Sequence, residues 1–170
     1  YDISPPVIKD KYPDLSAGEL NKKLAEKRAE AAEIIKAEVD RGKNVAVLDY
    51  GDPTIWSGSG HLRGSIASDI IETIPGLSSF NVAGAMLKRD TGCNGSIILT
   101  TSRGILDNRP LFSQAAKNGE TLCVFMAIRE LQETTGFFKD IYDMNTPVHI
   151  IYRAGYSGSE KLVRTTLEGM

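Results

Sequence analysis

Two short loops hold the residues whose types and spacing suit chemistry. In Gly51-Asp52-Pro53 a carboxylate stands just past an apolar run, Asn44-Val45-Ala46-Val47-Leu48-Asp49. Open α/β sheets bind ligands at the carboxyl ends of their strands. A glycine there lets a ligand approach the backbone, and a proline stiffens the turn. The second loop, Ile74-Pro75-Gly76-Leu77-Ser78-Ser79, offers hydroxyls and, at a helix start, free N–H groups for a polar ligand. Each loop alone is also an ordinary turn or helix cap. The usual catalytic signatures are absent: no G-x-x-x-x-G-K-[ST], no G-x-S-x-G and no H-E-x-x-H. The chain has two histidines, His61 in a Gly/Ser loop and His149 in a predicted strand, neither at metal-ligand spacing from a Cys or Asp. No metal site and no Ser/His or Cys/His nucleophile is therefore expected. An enzyme with this inventory takes its chemistry from a bound reactant and from positioning.

The elements that must position these loops read as α/β. Ser16 and Glu19 form an S-x-x-E capping box that opens a helix over 16–41, stopped at Gly42. Leu20, Leu24, Ala31, Ile34, Ile35 and Val39 line one face, and Lys22, Lys23, Glu26, Lys36 and Asp40 the wet one. The continuous apolar run 44–49 predicts a strand buried on both faces. Trp56-Ser57-Gly58-Ser59-Gly60 is read as a mobile loop, 70–74 as the next strand, and Ser78-Ser79 as the cap of a helix over 80–87. That order is one of a doubly wound layer. The chain then restarts: a strand over 96–101, a helix over 111–117, a strand over 121–126, a helix over 127–134, a strand over 147–152 and a last segment over 160–167. The boundary is placed at 90–95, giving an amino-terminal α/β domain over 1–91 and a carboxy-terminal one over 92–170. Tyr1-Asp2-Ile3 reads as the tail of a strand.

Composition agrees with a globular chain. The 170 residues carry 20 Lys+Arg against 22 Asp+Glu, a net charge of −2, with 41% hydrophobic residues. That excludes disorder, and the apolar runs fall short of the ~20 residues a membrane span needs. A pI near 5.7 gives no global attraction to nucleic acid. Cys93 and Cys123 lie in or beside apolar runs and read as free buried thiols. The start YDISPPVIKDKYPDLS has no apolar signal-peptide core, so a reducing, cytoplasmic setting is expected.

Taken together, in this order and spacing, the two loops are far more specific. Gly51-Asp52-Pro53-Thr54-Ile55-Trp56-Ser57 followed by Ile74-Pro75-Gly76-Leu77-Ser78-Ser79-Phe80 resembles the S-adenosylmethionine-dependent tetrapyrrole (corrin and porphyrin) methylases. Thr121-Leu122-Cys123-Val124-Phe125-Met126 and the stretch HIIYRAGYSGSEKLVRTTL extend the resemblance over nearly the whole chain, most closely to the precorrin-4 type of cobalamin biosynthesis. The resemblance implies two small α/β domains with the cofactor cleft between them, usually in a homodimer. It implies S-adenosyl-L-methionine as methyl donor and S-adenosyl-L-homocysteine as product. By motif position, Tyr50, Asp52 and Ile55 would hold the methionine part of the cofactor. Ser78 and Ser79 match the cofactor contacts beside the Pro-Gly turn, Met126 the adenosine-side methionine, and Ala154 the adenine contact.

The sequence also departs from the family. The family's glycine-rich first strand and turn would precede Tyr1, leaving the 44–49 strand without a neighbour. Trp56-Ser57 stands where Tyr or Phe followed by Gly is commoner, and the interval from Asp52 to Pro75 is short. In such an enzyme, methyl transfer to carbon is an in-line displacement that needs alignment and exclusion of water. No residue is assigned as catalytic base. A tetrapyrrole bears many carboxylates, for which Arg103 and Arg153 are the candidate partners, because arginine binds carboxylate in a bidentate fork. The alternatives are a same-fold methylase acting on a protein (a diphthamide precursor) or on ribosomal RNA, or a non-catalytic relative that only binds a ligand. An RNA substrate calls for a basic face, which the −2 charge does not favour.

Overall fold

The structure is a computed structural model that describes residues 5–90 and 95–170. Backbone proximity divides the chain into two compact units, Tyr1–Ser78 and Ser79–Met170. Residues 1–3, Cys93 and most of the expected 90–95 boundary lie outside the described residues.

The first unit is built on a short helix α1 (Pro5–Lys11) and a long one, α2 (Ala17–Asp40). The expected capping box is present. The Glu19 N–H donates to the Ser16 hydroxyl, and the Glu19 carboxylate accepts from the Ser16 N–H at 2.9 Å. At the other end Gly42 N–H donates to the Val39 carbonyl and Lys43 N–H to the Glu38 carbonyl. This paired pattern satisfies carbonyls that the helix leaves open. The wet face carries ion pairs at helical spacing, Lys23–Glu26 and Lys36–Glu33 among them. The buried face sets Ala32 against Leu62 and Ile66, with Ile35 and Ile71 beside them. Leu62 belongs to a 3-10 turn, Gly60–Gly64, and a second such turn covers Ser68–Ile70.

Two sequence expectations fail in this unit. Neither 44–49 nor 70–74 forms a ladder, and the first unit has no strand among the described residues. Nor is the 44–49 run buried: Val45 and Val47 are exposed and Leu48 is 93% exposed; in the 70–74 run Ile70 and Ile74 are exposed too. Apolar character supplies the preference for a strand, but a strand exists only where a second backbone lies about 4.8 Å away to take its hydrogen bonds. No described segment supplies that second backbone here.

The helix expected over 80–87 is present as α3 (Ser79–Leu87), but it falls in the second unit and not in the amino-terminal domain where the sequence places it. Strand β1 (Ile97–Thr101) runs through α4 (Ser102–Asp107) and α5 (Arg109–Asn118) into β2 (Thr121–Phe125). The two strands pair in parallel, Ile97 opposite Thr121 and Thr101 opposite Phe125. Parallel neighbours require such a crossover. The chain turns from β1 directly into a helix, because the Thr101 hydroxyl accepts from the Gly104 N–H and caps α4 at once. A 3-10 turn (Ala127–Glu130) leads into α6 (Leu131–Ile141), longer than the sequence suggested. β3 (Pro147–Tyr152) and β4 (Lys161–Thr166) pair antiparallel, which resolves the last segment as a strand. The core of the unit is Ile105, Phe112 and Phe137, with Ile98, Leu122, Val124, Phe138 and Ile141 packed on it. Cys123 is a free thiol, as expected, but half-buried and not fully buried, and burial pushes its pKa up. His149 is a half-buried strand residue, as expected.

Candidate functional site

In the first unit the two loops meet backbone to backbone. Gly51 has φ +71°, a conformation that suits glycine. A Cβ on Gly76 would lie 2.2 Å from the Gly51 carbonyl oxygen, so only a hydrogen fits between the loops there. Asp52 joins them through its side chain. Its Oδ1 accepts from the Thr54 N–H at 2.8 Å and the Thr54 hydroxyl at 2.6 Å, and the carboxylate also takes a backbone hydrogen bond from Gly76. The Thr54 hydroxyl and N–H, with smaller help from Gly76 and the charge of Arg63, hold the Asp52 pKa below the usual carboxylate range. The turn closes with the Ile55 N–H donating to the Asp52 carbonyl at 3.1 Å, while Arg63 donates to the Pro53 carbonyl.

Of the residues singled out in the sequence, Tyr50, Asp52, Ile55 and Ser78 thus sit in or beside this paired-loop structure. Tyr50 is 81% exposed, Ile55 half-buried and Ser78 buried. Ser79 begins α3 in the second unit.

The remaining candidates stand at strand ends of the second unit. β1 and β2 are parallel and in register, so Arg103, just past β1, and Met126, just past β2, share one carboxyl edge. That edge is where α/β sheets place ligands. Met126 is left-handed at φ +57°, ψ 22°, with its side chain mostly exposed. A non-glycine residue held there stores strain of about 1–3 kcal/mol, which such sites keep where the side chain has a task. Arg103 is exposed and pairs with Asp107 at 3.4 Å. Arg153 follows β3, is left-handed at φ +48°, and lays its guanidinium over the Tyr152 ring at 5.4 Å. Ala154 is half-buried in the turn that follows, and α3 approaches this turn, since a Cβ on Gly155 would meet Val82 Cγ1 at 3.4 Å.

A family model for Tetrapyrrole (Corrin/Porphyrin) Methylases matches residues 3–170. The chain belongs to this family. Among the tetrapyrrole methylases, Precorrin-4 C(11)-methyltransferase from Sinorhizobium sp is 32% identical over 144 residues, 80% of this chain and 56% of the relative. Cobalt-precorrin-4 C(11)-methyltransferase from Methanocaldococcus jannaschii is 28% identical over 172 residues, 88% of this chain and 63% of the relative. The X-ray structure of a cobalamin biosynthetic enzyme, cobalt precorrin-4 methyltransferase, superposes with a TM-score of 0.71 at 23% identity, over 82% of this chain and 61% of that one. That likeness bears out the α/β tetrapyrrole-methylase fold expected from the sequence. The chain spans about six-tenths of the length of the curated relatives it matches.

Sequence reasoning missed one group. Asp49, read only as the end of a strand, accepts from the Ser59 hydroxyl at 2.6 Å, the Ser59 N–H at 3.0 Å and the Tyr50 N–H at 2.9 Å. Partial burial pushes its pKa up, but these bonds, with help from Ser57, outweigh burial and hold it at about 2. Nearby, burial lowers the pKa of His61, the Arg28 charge lowers it further, and its Nε2 is buried with no hydrogen-bond partner. A carboxylate eight residues ahead of the Gly/Ser stretch that begins at Ser57 was the available signal, since hydroxyls and free N–H groups in such a stretch need acceptors.

Proposed function

We propose that the chain carries the cofactor-binding loops of an S-adenosylmethionine-dependent C-methyltransferase. Its substrate class is a tetrapyrrole of the precorrin or cobalt-precorrin type, and its pathway cobalamin or a related biosynthesis. The observation that carries the reading is the locked pair of loops, Gly51–Ile55 against Gly76–Ser78, in a member of this family. The donor set fits the cofactor. Backbone amides and carbonyls, hydroxyls and the Met126 thioether suit a zwitterionic amino acid, a sulfonium and a nucleoside, and Arg63 is the cation whose charge reaches Asp52 among the described residues.

Tyr50, Asp52 and Ile55 would hold the methionine part, Ser78 and Ser79 the neighbouring contacts, and Met126 and Ala154 the nucleoside. The bound cofactor supplies the electrophilic methyl group. The protein's own work is to orient and to exclude water, and Asp52 does the first by fixing the two loops against each other. Arg103 and Arg153 would meet substrate carboxylates. A homodimer and a cytoplasmic setting complete the reading, with S-adenosyl-L-homocysteine as product.

Asp52→Ala is expected to weaken S-adenosylhomocysteine binding on the order of tenfold. The thermal melt should stay native, because the residue lies in a loop outside the Ala32–Leu62–Ile66 core. Calorimetry reads the affinity, and unchanged affinity with a native melt would end the role assigned to Asp52. For the substrate, Arg103→Ala and Arg153→Ala should each raise KM while sparing cofactor affinity, a charge-assisted contact being worth about 1.5–3 kcal/mol. Normal turnover of a precorrin panel by both variants would place the substrate's cations elsewhere.

A further inference from the structure

The loop bearing Asp52 is closed by a carboxylate to which the proposed reaction gives no task. Asp49 takes both the N–H and the hydroxyl of Ser59 on one oxygen, Oδ2, and the Tyr50 N–H on the other. The Ser57 and Ser59 hydroxyls lie 3.2 Å apart, extending the contact along the stretch of small residues. The chain passes close beneath the carboxylate, since a Cβ on Gly58 would sit 3.6 Å from Oδ1. One side chain therefore pins both ends of the segment 50–58, which contains Tyr50, the Asp52 turn, Ile55 and a left-handed Trp56 at φ +47°.

The two ends differ in what else holds them. The far end runs directly into the 3-10 turn Gly60–Gly64, whose Leu62 is buried against Ala32 and Ile66. The near end follows 44–48, which is exposed and forms no ladder. The Asp49–Ser59 contact thus transmits the fixed position of the turn to the entry of the loop. Without it, a segment flanked by Ser57-Gly58-Ser59-Gly60 regains much of its chain entropy, and a ligand must order it on binding.

We propose that Asp49 is a positioning residue: by accepting the N–H and hydroxyl of Ser59 it holds the Tyr50–Ile55 segment in its ligand-receiving conformation. The proposal rests on the reading of that segment as the cofactor loop, and its test separates the two. S-adenosylhomocysteine affinity is measured by calorimetry on the whole chain for the parent, Asp49→Ala, Asp49→Asn and Ser59→Ala, with a thermal melt for each. Asp49→Ala is expected to bind about tenfold more weakly and Ser59→Ala about threefold, because the serine variant keeps its N–H donor. Asp49→Asn keeps a carbonyl acceptor and should recover part of the loss. The melts should match the parent, since the apolar cluster is untouched. A purely structural role would instead shift the melt and leave affinity at the native level once the protein is folded. Equal affinity of the parent and Asp49→Ala overturns the proposal and leaves the cofactor reading standing. A parent that does not bind S-adenosylhomocysteine overturns both. If Asp49→Ala does not fold, Ser59→Ala decides, and parent-like affinity in that variant overturns the proposal.

Discussion

Gly76→Ala should abolish most S-adenosylhomocysteine binding while leaving a folded protein. The added methyl would stand 2.2 Å from the Gly51 carbonyl oxygen and 3.2 Å from its carbon. Both are backbone atoms, so no side-chain rotation relieves the overlap, and one loop must move. The atom that moves belongs to the turn that sets Asp52, and the hydrogen bond from Gly76 to that carboxylate moves with it. Overpacking of this kind costs about 1–3 kcal/mol. If the loops absorb that cost by separating, affinity falls on the order of 10- to 100-fold. Gly64→Ala is the control, because a Cβ there meets nothing within 4 Å, and its affinity and melt should match the parent. Native affinity in Gly76→Ala would mean that the two loops need not touch for the ligand to bind.

That Gly76 matters was only half legible in the sequence. The Gly51-Asp52-Pro53 and Pro75-Gly76 motifs marked both loops, yet nothing in their residue types says that the second glycine is needed for the first loop's carbonyl rather than for a ligand. The same limit explains the rest. The Ser16–Glu19 box, the Gly42 stop and the parallel β1–β2 pair depend on residues close in sequence or on a crossover of which one helix, over 111–117, is visible in the pattern. The run at 44–49 depends on a second backbone, which no local pattern supplies, and there the expectation of a buried strand failed. Asp49 escaped notice because its partner Ser59 is ten residues away across a stretch that reads as featureless. The strain at Met126 was invisible, although its position at the end of β2 was not.

The second large effect is expected in the other unit. Ile105→Ala should lower the melting temperature more than any substitution on the surface of the same helices. Ile105 is fully buried, at 0% exposure, and packs with Phe112 and Phe137 where α4, α5 and α6 converge on the β1–β2 pair. Removing its branched side chain leaves a cavity that Phe112 of α5 and Phe137 of α6 close only in part. Such truncations cost about 2–5 kcal/mol. In a domain of 60–100 residues each kcal/mol moves the midpoint by roughly 4–8 °C, so a fall of at least about 8 °C is expected by calorimetry or circular dichroism. Ile105→Val should cost only about 0.5–1.5 kcal/mol, since it keeps the branch and most of the volume. Leu111→Ala, half exposed on α5, should stay within about 0.5 kcal/mol of the parent. The consequence reaches the site, because α4 carries Arg103 and the packing of α4 onto β1 fixes the edge that Arg103 shares with Met126. A variant that melts like the parent would show that α4 is not held by this core, and the placement of Arg103 beside Met126 would fall with it.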